Sequence, residues 1–292
     1  MQQTESNFKF GCPMWSHPKW FGTLFPSSTS RQQPLRSYQT FFNSVEGNTS
    51  FYQLPSVESL SAWSAQVKSD FSFTFKFPRE ISHGSNLNAE PLLLEQVLSR
   101  FQQIHRQIGC LMLQLPGQFG PSRIEELETF LRKLPQNFDY AVEVRHLDWF
   151  DKASNEVRLN QLLTELNINR VIMDTRGLFA CQTPTDTLVL DVQTKKPKVP
   201  THVINTSNKP VVRFVGHPTL DKNGPFLQPW VDKVAQWLQE GLHPYFFFHM
   251  PDNAQAPWLA SQFFDLFAQS YPTMSLSNKT IPQQASEQLS IF

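Results

Sequence analysis

Cysteine is scarce in this 292-residue chain. Cys12, Cys110 and Cys181 are too few and too scattered for a disulfide framework or a Cys-rich zinc site. An excess of one charge is also missing, since Lys+Arg and Asp+Glu both total 25. A protein that coats nucleic acid through general phosphate contacts needs surplus positive charge, so that class is disfavoured, although a local basic pocket is not. Long apolar runs are absent as well. None approaches the roughly 20 residues needed to cross a bilayer, and the opening MQQTESNFKFG has no apolar signal core. The expectation is a cytoplasmic protein with no membrane partner. The nucleotide and hydrolase motifs GxGxxG, GxxxxGK[ST] and GxSxG do not occur, which disfavours a Rossmann dehydrogenase, a P-loop NTPase and an α/β-hydrolase. No HExxH or close His/Cys set points to zinc.

Phenylalanine, by contrast, is plentiful at 26 residues, and most of it is expected in a core. Eight short apolar runs rich in β-branched or aromatic residues predict strands. They are Phe8–Pro13, Ser44–Asn48, Phe71–Phe77, Gly109–Pro116, Tyr140–His146, Arg170–Thr175, Val211–Gly216 and Tyr245–Pro251. Helical spacing predicts helices over Pro34–Phe42, Val57–Val67, Pro91–Gln107, Arg123–Leu134, Asn155–Leu166, Pro229–Gln239 and Trp258–Gln269. Strand then helix, repeated about eight times, is the pattern of the (β/α)₈ TIM barrel. The stretch 177–209, with TDTLVLDV and KKPKVPT, fits a helix poorly. It is expected to be an irregular insertion or an extra strand pair after the sixth strand. Residues 1–271 are assigned to one domain and 272–292 to a polar, peripheral tail.

Alternation along the strands sorts side chains between barrel interior and helix layer. On the third strand Phe71, Phe73, Phe75 and Phe77 share one face, which turns Lys76 inward. The same argument turns Glu46 and Asn48, Gln114, Glu143 and Arg145, Asp174 with Ile172, Arg213 and His249 inward near the strand ends. Active sites in this architecture lie at that end of the barrel. A lone buried charge costs several kcal/mol, whereas converging charges can satisfy one another.

The ordered motifs resemble the YecE-like proteins (domain of unknown function 72) from about Phe8 to Phe267. GCPMWSHPKWFGTLFP carries the family's glycine–tryptophan start. VEGNTSFYQLP matches at Glu46, Asn48 and Tyr52; FTFKFPREISH at Lys76, Arg79 and His83; LQLPGQF at Gln114. AVEVRHLDWF matches at Glu143, Arg145, His146 and Trp149, and VRFVGH at Arg213. The eighth strand departs: the family usually has an aromatic followed by asparagines and aspartate, and here the run is FFFHMPDN, with His249, Asp252 and Asn253. The resemblance implies a TIM barrel without an assigned reaction.

Each candidate carries two readings. Glu143 is either a general acid/base beside the anion-binding Arg145 and His146, or half of an ion pair closing the barrel mouth. Lys76, Arg79 and Arg213 clamp a phosphate or carboxylate, or they balance the acids. Glu46, Asp174 and His249 extend the catalytic set, and with Glu143 they offer oxygen and nitrogen ligands for Mg²⁺ or Mn²⁺. The interleaved cations disfavour that metal, and none is assigned. His83 and His249 shuttle protons or simply hydrogen-bond. Trp15, Tyr52 and Trp149 stack on a ligand or cover the barrel top. Two functions follow. One is a hydrolase-like enzyme acting on an anionic small molecule or phosphoester. The other is a non-catalytic binder of a nucleotide or nucleic-acid end. No cofactor and no oligomeric state follow from these residues.

Overall fold

A computed structural model of the chain describes residues 7–84, 87, 90–274, 276 and 280–282. All eight expected strands form: β1 (Lys9–Gly11), β2 (Ser44–Gly47), β3 (Ser72–Lys76), β4 (Ile108–Gln114), β5 (Tyr140–Glu143), β6 (Asn169–Asp174), β7 (Val211–Val215) and β8 (Tyr245–His249). Each pairs in parallel with its sequence neighbour from β2 to β8, and β1 pairs with β8. Helices alternate with them on the outside, so the architecture is a (β/α)₈ TIM barrel.

The outward faces explain the abundance of phenylalanine. Phe73 and Phe75 stack with ring centroids 5.5 Å apart, and Phe75 stacks on Phe101 of the helix Pro91–Gln102 at 5.0 Å. Burying one such side chain contributes about 1.5–3 kcal/mol. Inside, Cys110, Met112, Ala141, Val171, Val211, Tyr245 and Phe247 make an apolar plug. On four strands the polar residue of the mouth follows two positions later, at Gln114, Glu143, Arg213 and His249. The plug therefore fixes the floor on which those groups stand.

The seam between β1 and β2 is closed differently. The Phe10 amide donates to Asn43 Oδ1 (2.8 Å), and Asn43 Nδ2 donates to Phe8 O (2.9 Å). Tyr38 Oη accepts from the Cys12 amide (2.7 Å) and donates to Ser44 O (3.0 Å). Nearer the mouth the Glu46 amide donates to Cys12 O (3.0 Å), and Asn48 Nδ2 to Pro13 O (3.0 Å). The backbones approach so closely that a Cβ on Gly11 would lie 1.9 Å from Ser44 O. Side chains thus satisfy main-chain groups that a regular ladder would pair.

Three local expectations are corrected. No strand pair follows β6; TLVLDVQTK is the helix Thr187–Lys195, started by Asp186, whose carboxylate accepts from the Leu188 amide (2.8 Å). Pro229 does not start its helix but sits inside Gly224–Gln239, which begins with Pro225 in its first turn. On β6 the inward residues are Val171 and Met173; Ile172 and Asp174 face the helices. In the tail, Leu276 and Ile281 are buried against the main core and Trp258 Nε1 donates to Pro282 O (2.9 Å). Residues 283–292 lie outside the described residues.

Candidate functional site

Six strands bring one polar side chain each to the mouth: Glu46, Lys76, Gln114, Glu143, Arg213 and His249, all buried. Arg213 is the hub. Its Nε and Nη2 donate to Glu46 Oε2 and Oε1 (2.8 and 2.7 Å), and its Nη1 donates to Glu143 Oε2. Arg145, just past β5, donates from Nε to Glu143 Oε1 (2.6 Å). Lys76 Nζ donates to Gln114 Oε1 (2.7 Å) and lies 3.7 Å from Glu46 Oε1. His249 Nε2 is 3.0 Å from Glu46 Oε2.

Burial opposes ionisation of both carboxyls, but the cations outweigh it. The Arg213 and Lys76 charges, with the hydrogen bond from His249, hold Glu46 well below the usual carboxylate range, and Arg213 with Arg145 brings Glu143 down to about 2. Burial also acts on the bases. It lowers His249 to about 3 despite Glu46 beside it, so the imidazole is neutral and its Nε2–H donates to that carboxylate. Burial and the Arg213 charge lower Lys76 to about 7.

Above this layer opens a cavity of about 330 Å³. Lys76, Arg145 and Arg213 line it from the strands, Asn48, Tyr52 and Asn253 from the loops, and Lys195 and Lys196 from the segment after β6. No carboxylate lines it among the described residues. Lys195 is paired with Asp191 (2.6 Å), so four basic side chains, Lys76, Arg145, Lys196 and Arg213, share Glu46 and Glu143 beneath the floor. Half-buried Lys196 is brought to about 8 by burial and by Arg213. It escaped the sequence reading; the basic run Lys195-Lys196-Pro197-Lys198 was its only signal.

Several expected site residues lie elsewhere. Asp174 is fully buried in the helix layer, where it accepts from Trp230 Nε1 (2.7 Å), Arg176 Nη2 (2.8 Å) and Thr201 Oγ1 (3.3 Å). The oxygen-rich set it was to form with Glu46, Glu143 and His249 therefore does not assemble. Trp149 is wholly buried, with Nε1 donating to Phe119 O (2.8 Å), and covers the barrel rather than a ligand. Trp15 packs edge-on against Trp63. His83 sits beside the mouth, its Nδ1 2.9 Å from Ser82 Oγ and its ring against Phe51, outside the cavity lining. His146 Nδ1 accepts from the Asp148 amide, Asp252 accepts from the Ala254 amide, and Arg79 is exposed; none lines the cavity. No helix among the described residues is long and apolar enough to cross a membrane.

Comparison with known proteins agrees with the fold. The UPF0759 protein YecE of Escherichia coli (strain K12) is 41% identical over 276 residues, which are 94% of this chain and 98% of that protein. The protein of the same name from Escherichia coli O157:H7 is 40% identical over the same length. Crystal structures of DUF72 family proteins share the fold. That from Thermotoga maritima MSB8 has a TM-score of 0.65 at 20% identity, covering 89% of this chain and 98% of its own. That from Enterococcus faecalis V583 has 0.64 at 16%, covering 94% and 99%. The family model described as "Protein of unknown function DUF72" matches residues 9–286, and the chain belongs to that family.

Proposed function

We propose that the barrel mouth binds a small anionic molecule carrying a phosphate or carboxylate. The observation that supports this reading is the charge layout: the Arg145, Arg213 and Lys196 cations and the Lys76 amine face the cavity or its floor, while the two carboxylates that partly balance them are buried below and spent on Arg213 and Arg145. An arginine already oriented by a carboxylate keeps its remaining donors aimed at a ligand at little entropic cost. In this reading Glu46 and Glu143 position the cations. A carboxylate held at about 2 is a weak base at neutral pH, so the acid/base part passes to Lys76.

Orthophosphate titrated by calorimetry tests the reading. Binding is expected in the wild type, and Lys196→Ala should weaken it about tenfold, or about 1.4 kcal/mol, because that side chain lines the cavity without a carboxylate partner of its own. Identical heats for the two proteins would remove Lys196 from the site, and no heat in either at low salt would remove the anion. A second reading, a nucleotide or nucleic-acid end with phosphate on the cations, draws on Tyr52, which is 77% exposed at the rim of the same cavity. It predicts that Tyr52→Ala weakens adenosine 5′-monophosphate and leaves orthophosphate unchanged.

A further inference from the structure

We infer that Lys76 is an amine nucleophile that condenses with the carbonyl carbon of a small aldehyde or ketone bearing a phosphate or carboxylate, forming an iminium at the barrel mouth. This rests on the anion-binding reading and deepens it by naming the ligand's reactive group.

Lys76 ends β3, and Ser50 Oγ pins its main chain, accepting from the Lys76 amide (3.0 Å) and donating to the Lys76 carbonyl (2.8 Å). The side chain is almost fully buried yet lines the cavity. Among the described residues its one close acceptor is an amide oxygen, Gln114 Oε1 at 2.7 Å. An amide oxygen accepts from either protonation state and, being neutral, holds the proton on far less than a carboxylate at that distance would. The nearest carboxylate, Glu46, is farther at 3.7 Å and is already gripped in two-point fashion by Arg213. Burial and the Arg213 cation then favour the uncharged amine near neutral pH. A free lone pair on a rigid strand end, beside guanidinium groups that can hold an anion, is the arrangement that Schiff-base chemistry requires.

The step balances without a co-reactant. The Nζ lone pair bonds the carbonyl carbon as the carbonyl π pair moves to oxygen. A proton then passes from nitrogen to that oxygen, giving a carbinolamine. The nitrogen lone pair forms C=N as the hydroxyl departs, taking one proton from solvent and leaving as water. Hydrolysis is the reverse.

The test treats the full-length protein with glycolaldehyde phosphate and sodium borohydride, followed by intact-mass measurement and peptide mapping. One reduced adduct is expected, on Lys76, with a yield that rises through about pH 7. Lys76→Arg should lose it. Gln114→Glu, nearly isosteric, places a carboxylate on Nζ, so it should move the pH midpoint up by more than one unit without removing the lysine. Adducts spread over exposed lysines such as Lys195, no adduct, or an unmoved midpoint in the Gln114→Glu protein would overturn the inference. Orthophosphate calorimetry on the same samples separates the two readings. Phosphate binding without an adduct defeats only the amine. An adduct formed equally by unphosphorylated glycolaldehyde, with no phosphate heat, defeats only the anion site.

Discussion

Two buried ionic clusters lie on opposite faces of the same sheet. In the helix layer, Glu156 accepts from Arg170 Nη1 (2.8 Å) and pairs with His202 Nδ1 (2.8 Å), while Arg170 also donates to Asn160 Oδ1 (2.7 Å) and Trp149 O (3.1 Å). Both terminal nitrogens of Arg170 have partners there, and packed side chains such as Phe150 close the group off. Inside the barrel, Arg213 joins two carboxylates, Glu46 through two donors and Glu143 through one, but further basic side chains stand over it and face open space. Burial and ion pairing are common to both. A surplus of one charge beside a cavity belongs only to the second, and that is what singles out a candidate site from a structural network.

The sharpest way to break the comparison is Arg213→Met. It leaves Glu46 and Glu143 buried with most of their counter-charge gone, and should destabilise the fold by about 3–5 kcal/mol in chemical denaturation while abolishing phosphate binding. A loss under about 1 kcal/mol would mean the mouth charges are not coupled through it. Glu156→Ala should cost about 1.5–3 kcal/mol through its lost charged hydrogen bonds, yet leave orthophosphate affinity within twofold. A large drop in affinity would erase the distinction between the clusters.

Acid sharpens it further. His249 is held near 3 against an ordinary 6.5, so the unfolded chain binds its proton first, and stability falls as pH drops below about 6.5. Glu143 is depressed, so its contribution is complete above about 4.5 and is lost as pH falls toward 2. Each group gives a slope of at most about 1.4 kcal/mol per pH unit in its window. His249→Asn should flatten most of the upper limb, leaving the smaller share of His17, His83 and His217, which are also lowered; a profile unchanged by that substitution would show that the His249 imidazole is not held neutral.

The sequence carried much of this arrangement where one face of a strand was plainly apolar. The alternating phenylalanines of β3 turned Lys76 inward, and Val142 and Val144 did the same for Glu143 and Arg145. It failed on β6 because Val171, Ile172 and Met173 are apolar on both faces, so alternation offered no choice and Asp174 was turned the wrong way. TLVLDVQTK was misread because its β-branched residues favour a strand, while the Asp186 cap and tertiary packing of Val189 decide for a helix. Lys196 was invisible because its place depends on where a long irregular segment returns to the barrel. Tyr38 and Asn43 drew no notice because bonding a neighbouring strand's main chain leaves no periodic trace.

That stitched edge gives β1 an unusual status. Tyr38, Asn43 and Asn48 all sit on the β2 side, so these three side-chain fasteners belong to one partner. To them β1 presents amides, carbonyls and a glycine with no side chain to obstruct docking. Along this edge the cylinder grips the peptide groups and demands a residue without a Cβ at Gly11, much as a receptor groove accepts an extended peptide, and the first strand of the chain behaves as a guest that the rest of the molecule is shaped to receive.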